Sequence, residues 1–268
     1  PTEHPMMKNR IKLIILAMAA SIGLSNCIDV HQVVNVKKDG SGTIEETMLI
    51  TRPPELAALG GDQDPIADLM KGNKMKDRAN GMGEGVEFVD AKPFDGKNGA
   101  KGVKITFKFA DISTVKLSGD AGLATMNPDP NAKAPAATDD KVMTFGFEKG
   151  DKPKLTIKTP PMDGVDGMDQ DIDPTQMAMM SQVMKGMRIR VSVKPDGEIT
   201  KTNATYSEDG SVTLIDFEMD KLFKDPAKFK AFSQLAKEKD RTKVAAKIKE
   251  LDIKAAALFR GHVELQCL

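Results

Sequence analysis

This sequence has no tryptophan and only one tyrosine, Tyr206. Tight protein interfaces and sugar-binding surfaces are usually rich in these two residue types, so their scarcity argues against both. Cysteine is also scarce, because Cys27 and Cys267 are the only two, too few for a framework of several disulfides. We therefore expect a core of Val, Ile, Leu, Phe and Met that is stabilised by packing.

The sequence also lacks an excess of charge of either sign, because 39 Lys and Arg residues balance 39 Asp and Glu residues. Proteins that bind nucleic acid or anionic lipid surfaces usually carry a basic patch or a positive net charge. We therefore expect no nucleic-acid partner. Hydrophobic residues make up 40% of the chain, which is ordinary for a globular protein.

Motifs that identify common enzyme classes are missing. The sequence has no G-x-S-x-G elbow, no P-loop, no H-E-x-x-H motif and no dinucleotide fingerprint. His31 and His262 lie near opposite ends of the chain, so a histidine acid–base pair or zinc site would need the two ends to meet. The acidic run Asp169 to Asp173 is followed by proline, where a calcium loop needs glycine. We therefore predict a non-catalytic protein without a cofactor or a metal.

Long hydrophobic runs are missing too. The apolar run Leu13 to Ala20 follows a basic patch at Lys8 to Lys12, the order found in a secretory signal. It is well short of the roughly 20 residues that span a bilayer as a helix. We expect residues 1–5 to lie upstream of the true start, which is Met6 or Met7.

The apolar run ends at Leu24-Ser25-Asn26-Cys27, which resembles the lipobox of bacterial lipoproteins. In such a motif the cysteine is acylated, for example with palmitate, and becomes the new N-terminus. We therefore predict that residues 1–27 are a lipoprotein signal peptide and that Cys27 is the site of lipid attachment. The protein would then be anchored in the bacterial cell envelope, facing the periplasm or the cell exterior. The alternative is that Cys27 is free or paired with Cys267.

Alternating apolar and polar residues predict β-strands. The pattern is clearest at Val103 to Phe109, which is typical of a half-buried antiparallel strand. A second run, Ile189 to Lys194, precedes Pro195-Asp196-Gly197 and a segment from Glu198 to Thr205, which predicts a hairpin. Further strands are predicted at Gly85 to Ala91, Lys141 to Glu148, Lys154 to Thr159, Ser211 to Glu218 and Leu258 to Leu265.

The pattern V-x-V-K-x-D-G occurs twice, within residues 34–47 and within residues 191–204. Two hairpins of one sheet that use the same turn residues would explain this repeat, and an internal duplication is the alternative. The fold class predicted from these patterns is α+β, with one antiparallel β-sheet built of hairpins.

Helices are predicted where an N-capping aspartate precedes proline, at Asp64-Pro65 and Asp225-Pro226. We expect helices at about 64–79, 175–186 and 225–251, covering one face of the sheet. Proline, glycine and acidic residues dominate 118–140 and 160–174, which predicts long flexible loops. Residues 28–268 would then form a single extracytoplasmic domain.

Methionine is concentrated at residues 177–187, where Met177, Met180, Met184 and Met187 share one helical face. Such a face is usually core or an adaptable apolar surface, and we treat it as a candidate apolar binding face. Thioether ligation of Cu(I) is the alternative, but no histidine or cysteine joins the group.

Three stretches resemble a group of uncharacterised bacterial membrane lipoproteins. They are the D-G-S-G turn at 39–42, "KITFKFADISTVKL" at 104–117 and "ATYSEDGSVTLIDFEMDKLFKDPAKFK" at 204–230. The opening of the mature chain also resembles the LppM-like lipoprotein domain, and that resemblance implies binding of an envelope lipid.

Two functional hypotheses follow from these observations. In the first, the domain binds a lipid or another apolar ligand at the envelope. In the second, it is a structural or adaptor module that docks another envelope protein. An apolar pocket of roughly 300 Å³ or more favours the first hypothesis, and a solid core favours the second.

Overall fold

The computed structural model describes residues 27–51, 64–118, 142–160, 178, 181, 186–235, 238, 240–255 and 262–267. The strands of these ranges are β1 (Cys27–Val36), β2 (Gly42–Thr51), β3 (Glu87–Asp95), β4 (Lys101–Phe109), β5 (Lys116–Ser118), β6 (Val142–Glu148), β7 (Lys154–Lys158), β8 (Arg188–Pro195), β9 (Ile199–Thr202), β10 (Ser207–Glu208), β11 (Ser211–Glu218), β12 (Lys254–Ala255) and β13 (His262–Cys267). The α-helices are α1 (Pro65–Leu69), α2 (Lys74–Gly81), α3 (Met219–Phe223), α4 (Pro226–Leu235) and α5 (Arg241–Glu250).

The strands form two sheets. The large sheet has the order β10-β11-β8-β1-β2-β4-β3, with β12 also paired to β11, and the small sheet has the order β5-β6-β7-β13-β9. The strand pairs are antiparallel except for β1 and β8, which run parallel at the centre of the large sheet. The α+β class is consistent with this arrangement, whereas the prediction of one antiparallel sheet is wrong.

The first D-G segment forms the predicted tight connection between β1 and β2. The N–H of Lys37 donates to the carbonyl of Ser41 over 2.8 Å, and the Asp39 carboxylate accepts from the N–H of Ser41 over 2.9 Å. Gly40 has a φ of +87°, a value that glycine adopts without steric cost. The β1–β2 hairpin is therefore specified locally.

The second D-G segment does not form the predicted hairpin. After Asp196 and Gly197 the chain enters β9, which pairs with β13 in the small sheet, whereas β8 pairs with β1 and β11. The N–H of Asp196 donates to the carbonyl of Val36 over 2.7 Å. A D-G pair allows the chain to change direction, but the pairing of the flanking segments depends on strands that are distant in the sequence.

The predicted aspartate caps are confirmed. The Asp64 carboxylate accepts from the N–H of Ile66 over 2.9 Å, and the Asp225 carboxylate accepts from the N–H of Ala227 over 2.9 Å. The helices are shorter than predicted, since Gly72 with a φ of +64° separates α1 from α2. Most of the predicted helix at 175–186, and the predicted loops apart from residues 118 and 160, lie outside the described residues.

One apolar core includes side chains of both sheets. In β4, the predicted alternation is confirmed, because Val103, Ile105, Phe107 and Phe109 are buried. Leu155 of β7 and Leu265 of β13 contribute to the same core from the small sheet. The strands predicted near 85–91, 141–148, 154–159 and 211–218 correspond to β3, β6, β7 and β11, and the last predicted strand overlaps β13.

Candidate functional site

The predicted lipid-attachment residue, Cys27, is the first residue of β1. The antiparallel register places Cys27 opposite Thr51 at the end of β2, and the parallel register places Asp29 opposite Arg188 at the start of β8. The start of β1, the start of β8 and the end of β2 therefore meet at one end of the large sheet, which we call the Cys27 end. None of the described helices is both long and apolar enough to cross a bilayer.

Of the predicted methionine face, only Met187 belongs to the described residues. It directly precedes β8, and is therefore located at the Cys27 end. Its carbonyl accepts from the N–H of Met219 over 2.9 Å, and both side chains are half-buried. Met177, Met180 and Met184 lie outside the described residues, so their shared face stays a prediction.

The second cysteine, Cys267, ends β13 as a buried free thiol. Burial raises the pKa of this thiol, which keeps it protonated and unreactive at neutral pH. As a free thiol, Cys267 is not part of a disulfide.

Charged side chains occupy the outer face of the large sheet near the Cys27 end. Arg188 donates two hydrogen bonds of 2.8 Å to the two oxygens of Asp216, a bidentate geometry that adds strength and orientation. The hydrogen bond with Asp216 raises the pKa of Arg188. Burial acts to raise the pKa of Asp216, but the hydrogen bond and charge of Arg188 outweigh it and the pKa is lowered.

His31 lies in the same set of side chains, beside Arg190 in the register of β1 and β8. Arg190 contacts both oxygens of Asp29, at 3.2 and 3.3 Å, and Ser192 Oγ lies 3.4 Å from His31 Nε2. Burial lowers the pKa of His31, and the charge of Arg190 lowers it further against the opposing effect of Asp29. We call Asp29, His31, Arg188, Arg190 and Asp216 the outer charge network.

A cleft of about 140 Å³ adjoins this network. Its charged lining has both signs, with Arg188, Lys221 and Lys254 beside Asp216, Glu218 and Asp252. The cleft is smaller than the roughly 300 Å³ typical of a ligand site, and such sites are mostly apolar. This cleft is therefore not an apolar ligand pocket.

The structure does not bring His31 and His262 together. His31 is in the large sheet, and His262 is in the small sheet, where it lies 3.0 Å from the Glu264 carboxylate. Within the described ranges, no three His, Cys, Asp or Glu side chains converge as a metal site would require. The prediction of a protein without metal or catalysis stays a prediction.

The outer charge network was not predicted from the sequence. Asp29 and His31 flank buried Val30 in β1, and Arg188 and Arg190 flank half-buried Ile189 in β8, so alternation alone indicates two polar rows. Their pairing depends on the register between β1 and β8, which no local pattern contains.

No family model matches the sequence, and no curated protein sequence matches it. One solved structure with detectable similarity is the NMR structure of the folded domain of LppM from Mycobacterium tuberculosis. The two chains are 12% identical, the match covers 91% of this chain and 90% of that chain, and the TM-score is 0.33. A TM-score of this size indicates only a weak likeness, so the resemblance to bacterial lipoproteins depends on the sequence stretches quoted above.

Proposed function

We propose that this chain is a non-catalytic lipoprotein of the bacterial cell envelope that binds a lipid or another apolar ligand at the membrane surface. Acyl chains on Cys27 would anchor it, with the folded part facing the periplasm or the cell exterior. The observation that carries the proposal is the lipobox-like Leu24-Ser25-Asn26-Cys27, which ends at the first residue of β1. Two acyl chains hold a protein on a bilayer far more firmly than one.

The absence of a spacer between Cys27 and β1 supports contact between the Cys27 end and the bilayer. A strand rises about 3.3 Å per residue, so an anchored Cys27 would keep the start of β1 close to the headgroups. Met187 and Met219 are half-buried at this end, and flexible methionine side chains adapt well to apolar partners. A tethered protein also meets membrane lipid at a high effective concentration.

The anchor is tested by metabolic labelling with a fatty-acid probe. We expect the wild-type protein to be labelled and a Cys27→Ser variant to remain unlabelled. Cys267→Ser is the matched control and should be labelled as the wild type is. Equal labelling of the wild type and Cys27→Ser would contradict the proposed attachment site.

Ligand binding is tested by native mass spectrometry of the protein purified from its own envelope without harsh detergent. We expect an additional mass that corresponds to bound lipid, and lipid extraction should recover the same species. A Met187→Asp variant should retain less lipid, because it places a charge at the Cys27 end. Recovery of a clean unliganded mass at every protein concentration would contradict lipid binding.

Docking of an envelope protein is the second candidate function, and one observation favours it. Strand β3 is at the edge of the large sheet among the described strands, and its Val89 and Phe94 are 49% and 39% exposed. An edge strand offers unpaired backbone groups to which a partner protein can add a strand. A photo-crosslinking residue at Val89 should then capture one defined envelope protein, whereas the same residue at exposed Lys92 should not.

A further inference from the structure

Three polar side chains are buried together on the inner face of the large sheet. They are Gln32 of β1, Glu46 of β2 and Arg78 of α2, with exposed fractions of 2%, 0% and 8%. Gln32 and Glu46 are direct neighbours across the two strands. We call these three residues the inner polar cluster.

The inner polar cluster is held together through one carboxylate oxygen. Arg78 Nη2 donates to Glu46 Oε2 over 2.6 Å, and Gln32 Nε2 donates to the same oxygen over 3.4 Å. The guanidinium carbon of Arg78 also lies 5.8 Å from the centre of the Phe107 ring, a distance typical of a cation–π contact.

Each member of the cluster keeps one buried polar atom without a hydrogen-bond partner among the described residues. These atoms are Gln32 Oε1, Glu46 Oε1 and Arg78 Nη1. Unpaired buried polar atoms are rare in folded proteins because they lose their hydrogen bonds to water. A buried ion pair is often no more stabilising than apolar residues of similar volume, so stability alone does not account for the cluster.

The three unpaired atoms define the chemistry of a group that would complete the cluster. They offer one donor, on Arg78, and two acceptors, on Gln32 and Glu46. Arg78 and Glu46 carry opposite charges, so a charged ligand group would bring an unbalanced charge into apolar surroundings. A carboxylate or phosphate anion has no proton to donate, and an ammonium group cannot accept. A neutral hydroxyl group donates one hydrogen bond and also accepts, so two neighbouring hydroxyl groups supply the two donors and the acceptor that the cluster lacks.

We propose that the inner polar cluster binds two neighbouring hydroxyl groups of a neutral lipid headgroup, as found in a monoacylglycerol. This inference rests on the proposed lipid-binding function and specifies the class of lipid. Ile105 is opposite Glu46 on β4, and Phe107 lies against Arg78, so both side chains would contact the rest of the ligand once α2 moves. A single water molecule also offers two donors and an acceptor, and lipid-binding measurements distinguish the two.

Helix α2 is the element that must move to admit such a ligand, because it carries Arg78 and the unpaired atoms have almost no accessible surface. The helix buries only Met75 and Ala79 besides Arg78, a small apolar contact for a whole helix. Gly72 before it and Gly83 after it have φ values of +64° and +124°. An element with few buried apolar contacts opens at a lower free-energy cost than the core strands.

The test is equilibrium binding of radiolabelled monooleoylglycerol and oleate to the envelope-purified protein after removal of bound lipid. The variant Gln32→Met/Glu46→Met/Arg78→Met replaces the cluster with apolar side chains. The matched control Glu45→Met/Lys104→Met removes an exposed ion pair, 2.7 Å long, from the opposite face of neighbouring strands. Thermal unfolding verifies that each variant is folded. If the triple variant does not fold, the single variant Gln32→Met, which keeps the Arg78–Glu46 ion pair, takes its place.

We expect the triple variant to lose at least tenfold in affinity for monooleoylglycerol and to keep its affinity for oleate. Gln32→Met should show a smaller loss of the same selectivity, and the control variant should bind both lipids as the wild type does. If the triple variant and Gln32→Met bind both lipids with wild-type affinity, water alone fills the cluster and this inference is wrong, while lipid binding stands. If the wild type binds neither lipid, the proposed function fails as well.

Discussion

The inner polar cluster and the outer charge network lie on opposite faces of the large sheet, and both contain an arginine paired with a carboxylate. Inside, Arg78 reaches Glu46 through one hydrogen bond, and both side chains are almost fully buried. Outside, Arg188 binds Asp216 through two hydrogen bonds, and both side chains retain contact with solvent. Solvent is therefore available to the Arg188–Asp216 pair, although Arg190 Nε in the same network is buried without a partner among the described residues.

The difference shows that the same pair of residue types has a different role on each face of a sheet. On the outer face, solvent screens the charges and the loss of one partner is partly compensated. On the inner face, the loss of one partner leaves a charge in an apolar core. The loss of stability after substitution of a single partner therefore measures how far each face is shielded from water.

The largest effect is expected for Arg78→Met, which leaves Glu46 buried without its cation. We expect the free energy of unfolding to fall by about 3–5 kcal/mol, measured by urea denaturation. In the double variant Arg78→Met/Glu46→Met most of this loss should be recovered, because no buried charge remains. If both variants lose the same amount, packing of α2 and not charge accounts for the effect.

A smaller effect is expected for Arg188→Met on the outer face. Because the pair with Asp216 is bidentate but partly exposed, we expect a loss of about 1 kcal/mol in the free energy of unfolding. The effect should shrink in 1 M salt, where the Debye length is about 3 Å. A loss as large as that of Arg78→Met would mean that the outer face is as closed as the inner one.

The pH dependence of stability should reveal His31. Because the pKa of His31 in the folded protein is below its ordinary value of 6.5, the unfolded chain takes up a proton more readily. The contribution of neutral His31 to the free energy of unfolding is then fully present above pH 6.5. It is lost as the pH falls through 6.5 towards the folded-state pKa. Urea denaturation from pH 7.5 to 5 should show a smaller decrease for His31→Gln than for the wild type. Identical pH profiles would contradict this prediction.

The smallest effect is expected for Glu45→Gln, which breaks the exposed ion pair with Lys104. Exposed pairs contribute little, so the free energy of unfolding should change by no more than about 0.5 kcal/mol. Glu45 is adjacent to Glu46 in the chain but lies on the other face of β2. Glu45→Gln and Glu46→Gln change adjacent residues of the same type. The difference between their free energies of unfolding therefore measures the effect of burial.

Local features of the fold were predictable because local chemistry determines them. The alternation in β4 and the whole span of β11, Ser211–Glu218, follow from side-chain periodicity. The starts of α1 and α4 follow from an aspartate before proline, since that side chain caps the first turn. The D-G-S-G turn after β1 follows from a position that needs positive φ.

Long-range features were not predictable from local patterns. The separation of β8 and β9 into different sheets depends on which distant strands they meet, and the D-G turn at 196–197 does not encode this. Glu46 carried a usable signal, because it falls in phase with the apolar residues Ile44 and Met48 along β2. A carboxylate in the apolar phase of a strand indicates a buried polar site, but its partner Arg78 comes from a helix that periodicity does not place.

The parallel pairing of β1 with β8 has a consequence for the order of folding. Asp29 and Arg190, which contact each other across this pair, are 161 residues apart in the chain. Closing so long a loop costs entropy before any contact forms, so the β1–β2 hairpin forms early and the centre of the large sheet forms late. Until β8 arrives, β1 is an open strand edge, and open edges pair readily with other chains. We therefore expect that folding without aggregation requires the edge of β1 to be shielded until about 150 further residues have been synthesised.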